Sequence, residues 1–340
     1  MMRRALSLAE RGLFTTSPNP RVGCVVARDG KIIGEGWHER QGGPHAEVRA
    51  LENIDAAGAT VYVNLEPCSH HGRTPPCVDL LLRAKVHRVV AAMRDPNREA
   101  AGGGERLAAA GIRFEHGLLE EEARELNIGF LSRVTRGRPW VRLKVAATLD
   151  GRTALPDGRS QWITGAEARR DGHRWRARAC AILTGIGTVR ADDPQLTVRE
   201  VETPRQPLRV IVDSRLETPP NARVLPALVF SARAGRLPDA EVLALPNANG
   251  KVDLPRMLEV LAERGVNELH VEAGFRLNGS LVREGCVDEF LVYVNPSFLG
   301  DGAQGMLDLP LPGSLDGRLR LRVLSVDRLG DDLRLLARPA

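Results

Sequence analysis

Three side chains have the types and spacing of a metal set: His45, Cys68 and Cys77. His45 follows Gly42-Gly43-Pro44 where a helix can begin, Cys68 follows Pro67 after an apolar run, and Cys77 follows Pro75-Pro76 at a second helix start. One imidazole and two thiolates suit Zn²⁺, because the thiolates cancel the ion's charge and a fourth position is left for water. A helix start also turns free N–H groups and a positive dipole end towards Cys77, which favours its thiolate. Glu47, two residues beyond His45, can reach that water without occupying a coordination position. Zinc lowers the pKa of a bound water towards ~7, so hydroxide forms at neutral pH. Its attack on an amino-bearing carbon of a heterocycle, with Glu47 carrying a proton to the departing nitrogen, would expel ammonia.

H-x-E followed by P-C-x-x-C is the pattern of zinc nucleobase deaminases. Here the residues SHHGRTPP separate the cysteines where that pattern has two. Ligand types and order survive, and the longer loop brings His70, His71 and Arg73 beside the metal, where they could grip a phosphorylated substrate. A structural zinc would need a fourth protein ligand, which His70 or His71 could supply; without metal, the cysteines would be small core residues. Asn19, between Pro18 and Pro20, offers an amide that donates and accepts from a rigid turn, and serves equally as a plain turn former.

The second half carries a different signal. The apolar run ELHVEA leads into Gly274 and then a helix through Ser280, a turn that presents backbone N–H groups and a helix dipole to an anion. Gly274 allows close approach and Arg276 adds charge. No G-x-G-x-x-G follows a strand in this half, so the dinucleotide fingerprint of the doubly wound fold is missing; Gly102-Gly103-Gly104 belongs to the first half and reads as a loop and helix start. Lys144 and Asp192 are the polar groups placed for chemistry, Lys144 equally as a strand-end surface lysine.

The elements that must hold these residues alternate. Residues 2–13 read as a helix, 22–28 and 31–37 as a hairpin turned by Asp29-Gly30, 59–65 and 86–93 as strands, and 119–133 as one helix. A largely parallel sheet follows from strands interleaved with helices. The stretch 133–140 reads as a linker, dividing the chain into domains 1–135 and 136–340. A second, unlike α/β pattern starts at 140–151 and continues through strands near 179–184, 207–213, 224–230 and 268–272, with late β structure over 293–300 and 321–338.

Composition narrows the function classes. The chain has 340 residues, 43% hydrophobic and 27% charged, the balance of a globular protein of about two domains. The formal charge of +5 is spread over both halves, so neither shows a nucleic-acid footprint. No run approaches the ~18 apolar residues of a membrane span. The N-terminus reads as an amphipathic helix and not as a signal peptide. Five cysteines, an odd number, fit reduced thiols in a cytoplasmic protein, and Cys24, Cys180 and Cys286 read as inert core thiols.

Taken together, residues 17–26, 34–51, 63–77 and 94–97 resemble the deaminase half of the bifunctional riboflavin-biosynthesis deaminase/reductase family. Residues 143–154, 160–165, 182–199, 212–215, 271–281 and 287–300 resemble its reductase half, so the resemblance covers nearly the whole chain. It implies a cytidine-deaminase-like α/β/α sandwich followed by a dihydrofolate-reductase-like α/β domain. It implies hydrolytic deamination of 2,5-diamino-6-ribosylamino-4(3H)-pyrimidinone 5′-phosphate, then NADPH-dependent reduction of the ribosyl group to give 5-amino-6-(5-phosphoribitylamino)uracil. By position, His45, Cys68 and Cys77 would hold zinc, Glu47 would shuttle the proton, and Asn19, His38, His71 and Arg73 would contact the substrate. In the second half, Ala146, Trp162, Thr188, Asp192 and Ser214 would contact NADPH. Gly274, Phe275, Arg276, Leu277, Asn278, Gly279 and Ser280 would form its phosphate turn. Ser160, Arg176, Leu196, Arg199 and Glu272 would meet the second substrate, the arginines suiting its phosphate. A homodimer or tetramer is expected from the same resemblance, with a small phosphorylated pyrimidine as partner and neither nucleic acid nor membrane.

Overall fold

The computed structural model describes residues 1–70 and 75–340, in two compact units, Met1–Gly137 and Arg138–Ala340. His71 and Arg73 lie outside the described residues.

The first unit runs α1 (Met2–Glu10), β1 (Gly23–Arg28), β2 (Lys31–Trp37), α2 (Ala46–Ala50), β3 (Thr60–Leu65), α3 (Cys77–Arg83), β4 (Arg88–Met93), α4 (Gly103–Ala109), β5 (Arg113–His116), α5 (Glu120–Leu126) and α6 (Ile128–Arg136). The sheet order is β2-β1-β3-β4-β5. Asp29 (φ 50°) and Gly30 (φ 74°) turn the β1–β2 hairpin in left-handed conformations, as the Asp-Gly pair predicts. Because β1 pairs antiparallel with both neighbours and only β3, β4 and β5 are parallel, the sheet is mixed and not largely parallel.

Strand alternation sorts the core onto two faces. Val25, Val90 and Ala92 pack with Met2, Leu6 and Leu8 of α1. Cys24, Val26, Val61, Val63, Val89 and Ala91 pack with Ala46, Val78, Leu81 and Leu107 of α2, α3 and α4. The result is an α/β/α sandwich. The helix expected over 119–133 is two helices, broken at Asn127. The Arg21 N–H donates to Asn127 Oδ1 at 2.8 Å and Asn127 Nδ2 donates back to the Arg21 carbonyl at 3.0 Å, so this side chain serves the chain entering β1 and interrupts the helix.

The second unit runs β6 (Trp140–Thr148), β7 (Arg152–Ala154), α7 (Ala166–Arg178), β8 (Ala181–Gly185), α8 (Ile186–Asp192), β9 (Leu208–Val212), β10 (Ala227–Ser231), β11 (Ala240–Ala244), α9 (Leu254–Glu263), β12 (Glu268–Val271), α10 (Phe275–Arg283), β13 (Glu289–Asn295), β14 (Gln304–Gly305), β15 (Leu321–Leu329) and β16 (Asp332–Pro339). Nine strands form one sheet in the order β11-β10-β9-β8-β12-β6-β13-β16-β15. It is parallel from β11 to β13, and β16 and β15 close it as an antiparallel edge.

One face of this sheet is apolar and is covered by α9 and α10. The other face, under α7, carries charge. Arg142 is 1% exposed. Its Nε lies 2.5 Å from Glu289 Oε1 and its Nη1 3.1 Å from Glu268 Oε2. Arg178 and Arg338 hold the same two carboxylates at 2.7 and 2.8 Å. Lys144 on β6 and His270 on β12 continue that polar row, with Glu272 just past the end of β12. The Asp288 carboxylate tethers the start of β6, accepting from Val141 N–H at 2.8 Å.

Candidate active sites

In the first unit, α2 delivers His45 and Glu47. A Cβ on Gly36 would stand 2.5 Å from the Ala46 carbonyl oxygen, so glycine there lets α2 press against β2. His45 is the N-cap residue and Glu47 lies in the first turn. Cys68 follows β3, and Cys77 opens α3 behind Pro76. Gly103 lets the start of α4 close over the Cys68 loop, since its Cβ would collide with the Pro67 carbonyl at 1.9 Å. The buried Glu66 pins the same corner, accepting from Gly104 N–H at 2.8 Å and Asp95 N–H at 3.1 Å.

The three expected ligands converge. His45 Nδ1 lies 3.2 Å from Cys77 Sγ and 3.6 Å from Cys68 Sγ, and all three donor atoms fall within 4.8 Å of one another. Around tetrahedral zinc, a nitrogen at ~2.0–2.1 Å and a sulfur at ~2.3 Å stand about 3.5 Å apart, so the donor set fits the ion. Among the described residues, no fourth His, Cys, Asp or Glu joins the cluster. That leaves a position for water, the form of a catalytic site.

Glu47 is 4% exposed. Burial raises its carboxyl above the ordinary value, and the Cys77 thiol lies within hydrogen-bonding reach of it. His38 stands beside the set, its ring centroid 5.8 Å from that of His45. Its Nδ1 lies 3.0 Å from the Pro44 carbonyl oxygen, which can only accept, so Nδ1 carries the hydrogen. Nε2 then accepts from Asn19 Nδ2 at 3.0 Å. Burial lowers the His38 pKa, in keeping with a neutral ring. Asn19 is therefore more than a turn former, because its amide is locked onto His38 next to the metal ligands. The sequence reading passed over Asp95, whose carboxyl burial lifts to about 6; its clue was its place in RDPN at the end of β4.

The second unit contains an open cleft of about 1820 Å³, well above the ~300–1,000 Å³ of a pocket for one drug-sized ligand. Lys144, Ala146, Ser160, Trp162, Arg176, Thr188, Asp192, Leu196, Arg199, Ser214 and Glu272 all line it, as do Gly274 to Asn278 and Ser280. Gly279 does not. A Cβ there would stand 2.2 Å from the Asp308 carbonyl oxygen, so that glycine serves helix packing. Leu196 touches the cleft with little surface, since its side chain joins the buried cluster around Ile182 and Ile211.

α10 begins at Gly274, and its first turn faces the cleft. A Cβ on Gly274 would make only an ordinary 3.5 Å contact with Thr188 Oγ1. The protein's own packing therefore does not demand glycine, and the space belongs to whatever occupies the cleft. Asn278 is buried, donates to the Met306 carbonyl at 3.3 Å, and leaves Oδ1 without a partner. A helix N-terminus, an open cradle and an orphaned acceptor on one wall fit a polar, phosphate-bearing cofactor. Ser214 sits on a loop organised by the buried Asp213, which accepts from Glu217 N–H at 2.6 Å and Thr218 N–H at 2.7 Å.

The same cleft is lined by a charged cluster. Arg176 Nε and Nη2 meet Glu272 Oε1 and Oε2 at 2.5 and 2.8 Å, and Arg176 Nη1 donates to the Thr197 carbonyl at 3.0 Å. Despite desolvation, Arg176 and Lys144 hold the Glu272 carboxyl well below the usual range. Lys144 Nζ lies 5.6 Å from the ring centroid of Tyr293, and burial lowers its pKa. Asp192 ends α8, half-buried, its carboxyl raised by desolvation. The sequence reading missed Tyr293 and His173 in this wall. Their clues were a tyrosine in phase with Glu289 along an otherwise apolar strand, and a histidine within an arginine-rich helix.

Comparison with known proteins identifies the family of both units. Residues 1–93 match the family model for the cytidine and deoxycytidylate deaminase zinc-binding region, and residues 139–335 match that for the RibD C-terminal domain. The riboflavin biosynthesis protein RibD of Escherichia coli is 46% identical over 98% of this chain and 97% of its own length. That of Aquifex aeolicus is 44% identical over 98% and 96%. Among solved structures, RibD of Acinetobacter baumannii superposes with a TM-score of 0.92 at 42% identity, covering 100% of this chain and 98% of that one. The Thermotoga maritima diaminohydroxyphosphoribosylaminopyrimidine deaminase/5-amino-6-(5-phosphoribosylamino)uracil reductase gives 0.91 at 36% identity, covering 100% and 97%. The two units thus have the cytidine-deaminase-like and RibD reductase folds, and the chain belongs to the RibD family of bifunctional riboflavin-biosynthesis proteins.

Proposed function

We propose that this chain carries out two consecutive steps of riboflavin biosynthesis on a small phosphorylated pyrimidine. The first unit removes the ring amino group of the diaminopyrimidinone ribosyl phosphate as ammonia, and the second reduces the ribosyl group of the product to ribityl. The observation that carries the reading is the convergence of His45, Cys68 and Cys77 with the buried Glu47 beside them.

His45, Cys68 and Cys77 would hold zinc, which would supply the acidity that makes water a nucleophile near neutral pH. Glu47 takes up the proton of the attacking nucleophile and returns it to the departing amino nitrogen. Its buried site favours the protonated form midway through that relay. The neutral His38, oriented by Pro44 and Asn19, presents a fixed edge to the pyrimidine, and Asn19 shares that contact. His71 and Arg73 are proposed as phosphate contacts of the same substrate.

NADPH supplies the hydride in the second unit. Gly274 to Asn278 and Ser280 would hold its phosphates at the start of α10, with Ala146, Trp162, Thr188, Asp192 and Ser214 along its length. Lys144 would steady charge on the sugar oxygen, with Ser160, Leu196 and Glu272 shaping the sugar end. The family reading gives both Arg176 and Arg199 to the substrate phosphate. The geometry favours a division of labour, since the Arg176 fork is committed to Glu272 and Thr197 while Arg199 is exposed. Arg199 is the phosphate ligand in this reading, and Arg176 fixes Glu272.

A second copy of the chain is the proposed partner of the exposed edge strand β15, giving a homodimer. The cytoplasm is the proposed location, supported by five free cysteines; among the described residues, no helix is long and apolar enough to cross a membrane.

The test follows ammonia release and NADPH oxidation together in zinc-loaded protein given the diaminopyrimidinone ribosyl phosphate. Ammonia without NADPH, NADPH oxidation only with substrate, and loss of ammonia in Glu47→Gln are the expected results. Absence of both signals from folded, zinc-loaded protein would overturn the assignment.

A further inference from the structure

His270 is fully buried, and neither ring nitrogen has a hydrogen-bond partner. A polar ring sealed in a core without a partner needs an explanation. It sits on β12 two residues before Glu272, on the same face of the strand, and pairs across to Arg142 on β6 and Ile182 on β8. Its Nε2 points to Glu272, 3.4 Å from Oε1, just beyond a good hydrogen bond. The charged groups acting on it are Glu272 on its own chain segment, Arg142 on β6 and Arg176 on α7. With two guanidinium groups and burial against it, the ring stays neutral and has one N–H to give. Glu272 is the only acceptor among those groups.

We propose that His270 is a positioning residue for the reduction step: its neutral Nε2–H closes onto Glu272 Oε1 when substrate occupies the cleft. Oε1 then receives His270 and Arg176 Nε, Oε2 receives only Arg176 Nη2, and the remaining Oε2 lone pair faces a sugar hydroxyl. Hydrogen bonds of this kind are commonly long before substrate binds and tighten in the complex. The inference rests on the reductase reading of the cleft and adds to it the group that orients the carboxylate from behind.

The test compares His270→Phe and His270→Gln in the full zinc-loaded chain. Phenylalanine keeps the ring shape without the N–H, and glutamine restores a donor of similar reach. His270→Phe is expected to raise the KM for the ribosylaminouracil phosphate about tenfold, the loss of one hydrogen bond to a charged group. It should leave the Kd for NADPH, read by its fluorescence, and the ammonia release of the first unit unchanged. His270→Gln should recover most of the loss. An unchanged KM in His270→Phe overturns the proposal, as does a parallel loss of NADPH affinity or a failure of glutamine to rescue. Nitrogen-15 NMR of the unmodified protein gives a reading independent of turnover: the neutral Nε2–H tautomer is expected, and Nδ1–H overturns the proposal. Wild-type protein that binds NADPH but never oxidises it with this substrate would instead overturn the reductase reading, leaving the tautomer to judge His270.

Discussion

Arg176 and Glu272 meet as a two-pronged pair, Nε to Oε1 at 2.5 Å and Nη2 to Oε2 at 2.8 Å, on the wall of the second unit's cleft. Only a planar guanidinium makes both contacts at once. A lysine keeps the charge and loses one prong and the Thr197 contact. Arg176→Lys is therefore expected to lower the kcat/KM of the reduction by about tenfold to a hundredfold, the scale of one or two charged hydrogen bonds. Ammonia release should stay at the wild-type rate. Steady-state NADPH oxidation checks it, and a wild-type kcat/KM would show that the pair is only structural.

Glu47→Gln keeps the shape of the side chain and removes its proton chemistry. Loss of a positioned general acid–base costs about 10²–10⁴-fold in rate. Because Glu47 is not counted among the three ligands, zinc content should remain one per chain by elemental analysis. Loss of zinc along with activity would place Glu47 in the coordination set instead.

Removing zinc with a chelator should abolish ammonia release and leave NADPH oxidation with a pre-deaminated substrate intact. The donors His45, Cys68 and Cys77 come from two helix starts and a loop, so the ion ties three segments of the first unit together. Its loss should also lower that unit's melting temperature, because metal-binding free energy adds to folding free energy. Differential scanning calorimetry with and without chelator reads this directly.

How much of this was legible in the sequence differs between the two sites. The zinc set was legible because its chemistry is carried by rare residue types at fixed spacing, and a loop of changed length altered neither identity nor order. The hairpin at Asp29-Gly30 was legible because the turn type demands those residues. The break at Asn127 was not, because its cause is a contact with Arg21 more than a hundred positions away. The charged face under α7 was half visible: Arg142 and Lys144 alternate with apolar residues, but the carboxylates that balance them, Glu268, Glu272 and Glu289, come from β12, the residues just after it, and β13. Arg176 reads from the sequence as a phosphate contact, and no spacing rule could show its fork already occupied by Glu272.

His173 yields a pH prediction with a definite sign. Burial and the charges of Arg176 and Arg199 push its pKa down to about 4, and its Nδ1 accepts from the Arg199 N–H at 3.2 Å. In the unfolded chain the ring titrates at ~6.5. Above that value both states are neutral, and below it the unfolded state takes up the proton first. Stability should therefore fall as pH drops from about 6.5 through 4. His173→Asn should flatten that part of the profile, read as melting temperature against pH. An unchanged slope would assign the loss to other groups.

The edge strand β15 leaves Val323 52% and Val326 57% exposed, with Leu321 also open to solvent. Isolated edge strands are normally guarded by charge or cover, because their free backbone groups and apolar side chains recruit another strand. A second copy of the chain, applying the same edge about a two-fold axis, covers both at once. Sedimentation of the wild-type chain at micromolar concentration is expected to give a dimer. Val323→Lys combined with Val326→Lys should give a folded monomer, because the paired edges then meet like charges. A wild-type monomer would remove the proposed partner. A dimer untouched by both lysines would move the interface to another face of the protein.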